Sequence, residues 1–264
     1  MGRWSARLAP LFLDFCDVGF CDVDFCDGGG ARRLLDVGCG TGVLSEALVR
    51  RWPAVEVVGI DPAEDYIAYA RRRVGGTAAT FHVGDALALP GPEAAFDGAF
   101  ALLILQEFSE PENLVREMTR MTSAGGIVAT CQWDFADGMP MLMHFWDAVA
   151  AVHPGGNTER ETKRRVPKGR TTEESLGDLW RQCGLQDIAT TTIDVVQDFA
   201  NFEDYWRPFL SGATPTSTYA AGLPPAMQEA IKAELRERLS SGGADRPFAL
   251  TAQALAVRGR VPRT

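Results

Sequence analysis

The 264-residue chain has three histidines, no C-x-x-C pair and no excess of positive charge. Each scarcity closes off a class of function. Without paired cysteines or clustered histidines a zinc-type centre has no ligand framework, so no metal is expected. A formal net charge of −9 and a pI near 4.9 repel phosphate backbones and anionic lipid surfaces at long range, which argues against nucleic acid or membrane as a partner. No apolar run approaches the ~20 residues that cross a bilayer, and the first residues lack the charged, apolar and small-residue order of a signal peptide. The expectation is a cytoplasmic protein acting on a small molecule, with its six cysteines reduced.

What is present is an ordinary globular balance of 46% hydrophobic and 23% charged residues. From Arg32 to Thr130 short apolar runs alternate with helical patterns: "RRLLDVG", "VEVVGID", "TFHVGDA", "FDGAFALLIL" and "GGIVATCQW". Strands that recur with helices between them imply a parallel sheet covered on both faces, a doubly wound α/β fold. The intervening segments carry apolar stripes at helical spacing, Val43, Leu44, Ala47 and Leu48 in one and Leu114, Val115, Met118 and Met121 in another.

Beyond that core the pattern changes. "MPMLMHFWDAVAAV" and the polar stretch after it make residues 134–170 a helical cover insertion. A helix capped by Thr171 or Thr172 runs to Cys183 and stops at Gly184. The strands "LQDIATTTIDVVQDF" and "PFALTAQALAVRG" bracket a helical insertion at 200–245, with helices near Asn201–Leu210 and Pro225–Ser240. No linker of boundary quality interrupts 1–264, which reads as a single domain led by an N-terminal helix and linker at 1–30.

The chemistry concentrates in "LLDVGCGTG", a buried strand running into a turn with Gly38, Gly40 and Gly42. Glycines there let the backbone turn tightly and let a ligand approach the N-terminus of the next helix. Asp61 ends the second strand and Asp85 the third. One suits ribose hydroxyls and the other an exocyclic amine, although each also suits a local cap. Glycines followed by two acids at successive strand ends describe a nucleoside site. The dinucleotide spacing G-x-G-x-x-G fails at Val43, which leaves a nicotinamide-dependent oxidoreductase as the lesser alternative.

Taken in order from Leu34 to Gln132, the segments "LDVGCGTG", "VVGIDPAEDYIAYAR", "GDALALP", "FDGAFALLILQEF" and "MTSAGGIVA" resemble the class I S-adenosylmethionine-dependent methyltransferases. The flanking "GRWS" and "WDFADGM…HFWDA" resemble its small-molecule (type 11/25-like) group. The resemblance implies a seven-stranded, mostly parallel sheet of order 3-2-1-4-5-7-6 with an antiparallel seventh strand. It also implies S-adenosylmethionine as cofactor and S-adenosylhomocysteine as product. Residue by residue, it puts Gly38 and Gly40 beside the methionine moiety, with Cys39 between them in the same site. Asp61 then meets the ribose, Pro62 the adenosine, and Asp85 and Ala86 the adenine. Backbone at Ala101 and Leu102 flanks the methionine moiety, and Arg3 or Trp4 closes the pocket.

A sulfonium methyl is already electrophilic, so the protein's main task is to align an acceptor and exclude water. Where a general base is needed, His144 in the cover helix and Glu107 after the fourth strand are the candidates. The plain alternatives are a packed histidine and a solvated acid. Trp133, Phe145 and Trp146 suit either an apolar acceptor pocket or ordinary core. The basic run "RETKRRVPKGR" suits an anionic acceptor or a solvated loop. The acceptor class that fits best is a metabolite such as a quinone-like ring, handled by a monomer or homodimer; the competing reading is a cofactor-binding sensor or scaffold without turnover. The thrice-repeated Phe-Cys-Asp of residues 15–27 reads as a duplicated linker rather than a metal site, because a five-residue period gathers thiols on one side of neither helix nor strand.

Overall fold

The computed structural model describes residues 2–17, 32–153, 172–212, 214–239 and 246–263. Two of the three Phe-Cys-Asp units and the basic run at 160–170 lie outside them. The strands are β1 (Arg32–Val37), β2 (Val55–Asp61), β3 (Ala79–Val83), β4 (Phe96–Leu102), β5 (Thr122–Trp133), β6 (Gln186–Phe199) and β7 (Phe248–Arg260). They form one seven-stranded sheet of order β3-β2-β1-β4-β5-β7-β6. The pairs from β3 to β5 are parallel and β7 runs antiparallel to β5. The order reverses between β1 and β4, and in such sheets ligands bind outside the carboxyl ends of the strands at that crevice.

Helices cover both faces. α1 (Gly2–Asp17) buries Trp4, Leu8, Phe12 and Cys16, one residue per turn, and its Phe12 meets Phe100 of β4 edge to face at 6.5 Å. α2 (Val43–Arg51) packs on the same face, where Ser45 reaches β1. α3 (Glu64–Arg73) begins with Glu64 and Asp65 and ends with three arginines, the charge order that complements a helix dipole. On the opposite face α4 (Pro111–Met121) buries Leu114, Val115, Met118 and Met121 in one apolar layer with Leu35, Val37 and Val128. Each such side chain contributes roughly 1.5–3 kcal/mol of burial.

α6 (Glu173–Gln182) joins that layer. Its N-cap is Thr172, whose side chain accepts from Ser175 N–H while Ser175 answers the Thr172 backbone. Gly184, at φ +83°, ends it in the left-handed conformation that glycine adopts without penalty. Trp180 of α6 is fully buried and donates its indole N–H to Val128 O at 3.0 Å. A side chain at Gly259 of β7 would begin 2.8 Å from the Trp180 ring, so that glycine makes room for the indole.

By contacts the chain divides into two compact units. One comprises the described residues of Met1–Trp133, Gly169–Ile193 and Ala254–Thr264, the other those of Asp134–Lys168 and Asp194–Gln253. The second unit contains α5 (Pro140–Val152), α7 (Phe202–Trp206), α8 (Pro215–Ala221) and α9 (Pro225–Leu239). Its core is aromatic: Phe145 stacks on Phe209 at 4.6 Å, and Tyr205 donates its hydroxyl to Met141 O at 2.8 Å. Its helices fall within the stretches read from sequence as insertions, 134–170 and 200–245, and it also takes in residues 194–199 of β6 and 246–253 at the start of β7. One helix, α8, has no counterpart in the sequence reading. No helix among the described residues is long and apolar enough to cross a membrane.

Candidate active site

The first unit assembles its polar groups along the carboxyl edge of the sheet. β1 is buried on both faces, so its carboxylate, Asp36, sits among Leu34, Leu35 and Val37 at 1% exposure. One Asp36 oxygen accepts from Ser45 Oγ at 2.6 Å, and the other, Oδ1, is buried with no hydrogen-bond partner among the described residues. Loss of hydration dominates, and the Asp36 pKa is pushed up to about 7 despite the Ser45 hydrogen bonds that favour the anion.

That shift carries a pH dependence whose sign is fixed. The folded pKa exceeds the ordinary 3.8, so the unfolded chain loses this proton first and stability falls as pH rises from about 4 to about 7. Asp36→Asn keeps an oxygen for Ser45 and cannot ionise. It is expected to flatten this part of the stability profile, which thermal denaturation across that pH range measures.

After β1 the chain turns through Gly38, Cys39 and Gly40, whose glycines have φ of +67° and +50°. The Gly38 and Cys39 N–H groups both donate to Ile60 O, at 2.8 and 3.0 Å. Gly40 N–H donates to Asp61 Oδ2 at 2.9 Å, while Asp61 Oδ1 accepts from Ala63 N–H at 2.9 Å. Asp61 therefore ties the glycine turn to the end of β2 and also caps the chain entering α3. A Cβ on Gly40 would meet nothing within 4 Å, so this backbone borders open space, whereas Gly38 lies under the side chain of Ile104. Cys39 is buried, and desolvation together with the nearby charges of Asp36 and Asp61 pushes its thiol pKa up, which keeps it from acting as a thiolate nucleophile.

Asp85 differs from its expected position. β3 stops at Val83, and Asp85 lies two residues on, exposed, with Oδ1 accepting from Leu87 N–H at 2.9 Å. Its side chain closes its own turn, as a short acid at a strand exit tends to do. Ala86 is buried. The loop is anchored a little further on, where Glu117 Oε1 accepts from Leu89 N–H at 2.7 Å and Arg120 donates to Leu89 O at 3.0 Å. The same Arg120 holds Glu117 below the usual carboxylate range.

β4 delivers Ala101 and Leu102 to the same edge. Ala101 is buried in the apolar layer with α4. The next residue, Leu103, was not singled out by the sequence. It sits at φ +65° with its N–H donating to Cys131 O at 2.7 Å, a left-handed conformation that costs a non-glycine residue about 1–2 kcal/mol. Trp4 is buried edge-on against Trp133, the last residue of β5, at 6.1 Å and 86°. Arg3 and Pro62 are exposed, as is Glu107 in the short turn Leu105–Glu107. His144 is half-buried on α5 in the second unit. Gly40 and Asp61 thus meet directly, Gly38 and Cys39 are held to Ile60 beside them, and Trp4 meets β5. The signal for Asp36, a single carboxylate inside a buried apolar run, is visible in the sequence once the strand is recognised.

The comparisons with known proteins bear on the family and its fold. Residues 34–126 match the family described as "Methyltransferase domain". A trans-aconitate 2-methyltransferase of Rhodopseudomonas palustris (strain BisA53) is 31% identical over 217 residues, covering 74% of this chain and 80% of that protein. The chain belongs to the class I S-adenosylmethionine-dependent methyltransferases. A demethylmenaquinone methyltransferase of Thermus thermophilus is 39% identical over 97 residues, 36% of this chain, and the match spans only 44% of that relative's length. Among solved structures, the YcgJ protein of Bacillus subtilis superposes with a TM-score of 0.56 at 18% identity, covering 96% of this chain and 98% of its own. A Haemonchus contortus phosphoethanolamine N-methyltransferase in complex with S-adenosyl-L-methionine gives 0.55 at 16% identity, covering 96% of this chain and 52% of its own. These two likenesses carry the fold of the family, and the sheet order of this chain is the one its sequence motifs implied.

Proposed function

We propose that this chain transfers a methyl group from S-adenosylmethionine to a small-molecule acceptor, in the cytoplasm. The observation that carries the reading is the closure of the glycine turn on Asp61, Gly40 N–H to Oδ2 at 2.9 Å, beside backbone that borders open space. A side-chain-free surface next to a carboxylate held by two backbone N–H groups fits a ligand with an exposed chain and a ribose. Each Asp61 oxygen retains a further lone pair for a ribose hydroxyl.

In this reading Gly38, Cys39 and Gly40 border the methionine moiety. Pro62, Asp85 and Ala86 border the adenosine, with the Asp85 turn held by Glu117 and Arg120. The backbone from Ala101 to Leu103 lies beside the reacting centre, and Trp4 on Trp133 keeps water from that end of the sheet. When bound, the cofactor would supply an electrophilic methyl group on a positively charged sulfur, with S-adenosylhomocysteine as the leaving group that keeps the S–C electron pair. The chain's residues then need only hold, align and desolvate. His144 and Glu107 remain candidate bases for an acceptor that must lose a proton.

Similarity reaching 80% of the length of a trans-aconitate 2-methyltransferase supports a small carboxylic acid as the acceptor class, ahead of the quinone-like ring suggested by the apolar segment 139–152. A net charge of −9 supports a free small molecule over nucleic acid. The test is formation of S-adenosylhomocysteine on adding trans-aconitate and related acids. Acid-dependent product supports the reading, and product formed with quinols alone would move the acceptor class.

A further inference from the structure

We propose that Trp133 is a positioning residue for the acceptor, its indole N–H holding a carboxylate oxygen of the molecule that receives the methyl group. This rests on the methyl-transfer reading above and adds to it a residue and a chemical class.

Two buried tryptophans of the first unit make the contrast. Trp180 donates its indole N–H to Val128 O at 3.0 Å. Trp133 is as deeply enclosed, at 2% exposure, yet its Nε1 is buried with no hydrogen-bond partner among the described residues. Buried donors in native proteins are almost always satisfied, because an unmade bond forfeits the donor's hydration. A donor left over at a ligand-binding edge is a donor kept for the ligand.

The position is suited to that role. Trp133 is the last residue of β5, at the carboxyl edge shared with the Gly38 turn, Asp61 and Leu103. Register fixes its face: Asp36 and Ala129 both pair with Phe100, and alternation from Ala129 through Cys131 brings Trp133 to the same side of the sheet as Asp36. Trp4 of α1 packs edge-on against the ring and holds its orientation.

The chemistry of the donor selects the ligand. An indole N–H only donates, so its partner must offer a lone pair. A carboxylate oxygen offers the strongest, charge-assisted version of that bond. A carboxylate also needs no base. Its negative charge and the sulfonium's positive charge cancel when the new O–C bond forms, leaving a neutral ester and a thioether with no proton to remove. An acceptor of this class makes no demand on Glu107, which is exposed, or on His144.

The test compares wild type with Trp133→Phe, which keeps an aromatic ring against Trp4 and removes the N–H together with the five-membered half of the indole. Both are assayed with methyl-labelled S-adenosylmethionine against a panel of unsaturated di- and tricarboxylic acids, phenols and primary amines. The expected result is label in a base-labile methyl ester, with KM for that acid raised about tenfold or more in the variant, a smaller change in kcat, and an unchanged Kd for S-adenosylmethionine. Label only in phenol or amine products overturns the proposal, as does an unchanged KM in the folded variant. In the wild type, the Trp133 indole N–H resonance is expected to shift when the acid is added with S-adenosylhomocysteine present; an unmoved resonance also overturns it. Failure of wild type to bind S-adenosylmethionine would instead remove the underlying reading, so the two failures are told apart by the Kd.

Discussion

Asp61→Ala is expected to weaken S-adenosylmethionine binding at least about a hundredfold. In the proposed site Asp61 would accept two charge-assisted hydrogen bonds from ribose hydroxyls, at roughly 1.5 kcal/mol or more each, about 3 kcal/mol together, and each 1.4 kcal/mol is tenfold. The carboxylate also orders the site, because it accepts from Gly40 N–H and Ala63 N–H. Its removal frees the glycine turn as well as the ribose contact. A second variant separates binding from folding. Gly40→Val places a branched side chain into the open space beside the turn at a φ of +50°. It should block the ligand while costing the fold only the local backbone strain, about 1–2 kcal/mol. Calorimetric titration with S-adenosylmethionine, with circular dichroism as the fold control, measures both. Wild-type affinity in the two variants would remove the site assignment.

The largest stability effect is expected at Trp180. Truncation to Ala opens a cavity in the α4 and α6 layer and removes the indole hydrogen bond to Val128 O. Large aromatic truncations of this kind cost about 3–5 kcal/mol, and the lost hydrogen bond adds to that. The expected outcome is a urea midpoint displaced far downward with little change in slope. At low denaturant the affinity for S-adenosylmethionine should hold, since Trp180 packs on the face of the sheet opposite Asp36 and α2. A loss under about 1 kcal/mol would mean that the layer repacks around the gap.

These two residues also mark what the sequence does and does not disclose. The sheet was legible because buried parallel strands must be apolar throughout, and "RRLLDVG" or "GGIVATCQW" suits nothing else at that length. The link from Gly40 to Asp61 was legible as spacing, and the hydrogen bond of 2.9 Å gives that spacing its cause. The sequence puts Asp85 at a strand end, whereas β3 stops at Val83 and the Asp85 side chain accepts from Leu87 N–H in the turn that follows. Helix α8 escaped notice because its seven residues, "PTSTYAA", carry no apolar stripe and depend on the reciprocal Thr214 and Ser217 cap. Leu103 is a residue type with no intrinsic preference for a positive φ, and only the pairing of its N–H with Cys131 O explains it. The orphaned N–H of Trp133 is a tertiary fact. No local pattern records whether a donor has found its partner.

Binding and turnover together separate an enzyme from a cofactor-binding scaffold, so the most direct measurement is acceptor-dependent release of S-adenosylhomocysteine. Purified protein is incubated with methyl-labelled S-adenosylmethionine and fractionated small-molecule extracts, with trans-aconitate as a defined acceptor alongside. The account predicts S-adenosylhomocysteine in equal amount to a labelled, base-labile product, abolished by Asp61→Ala. Tight binding of S-adenosylmethionine with no acceptor-dependent product from any fraction would contradict it.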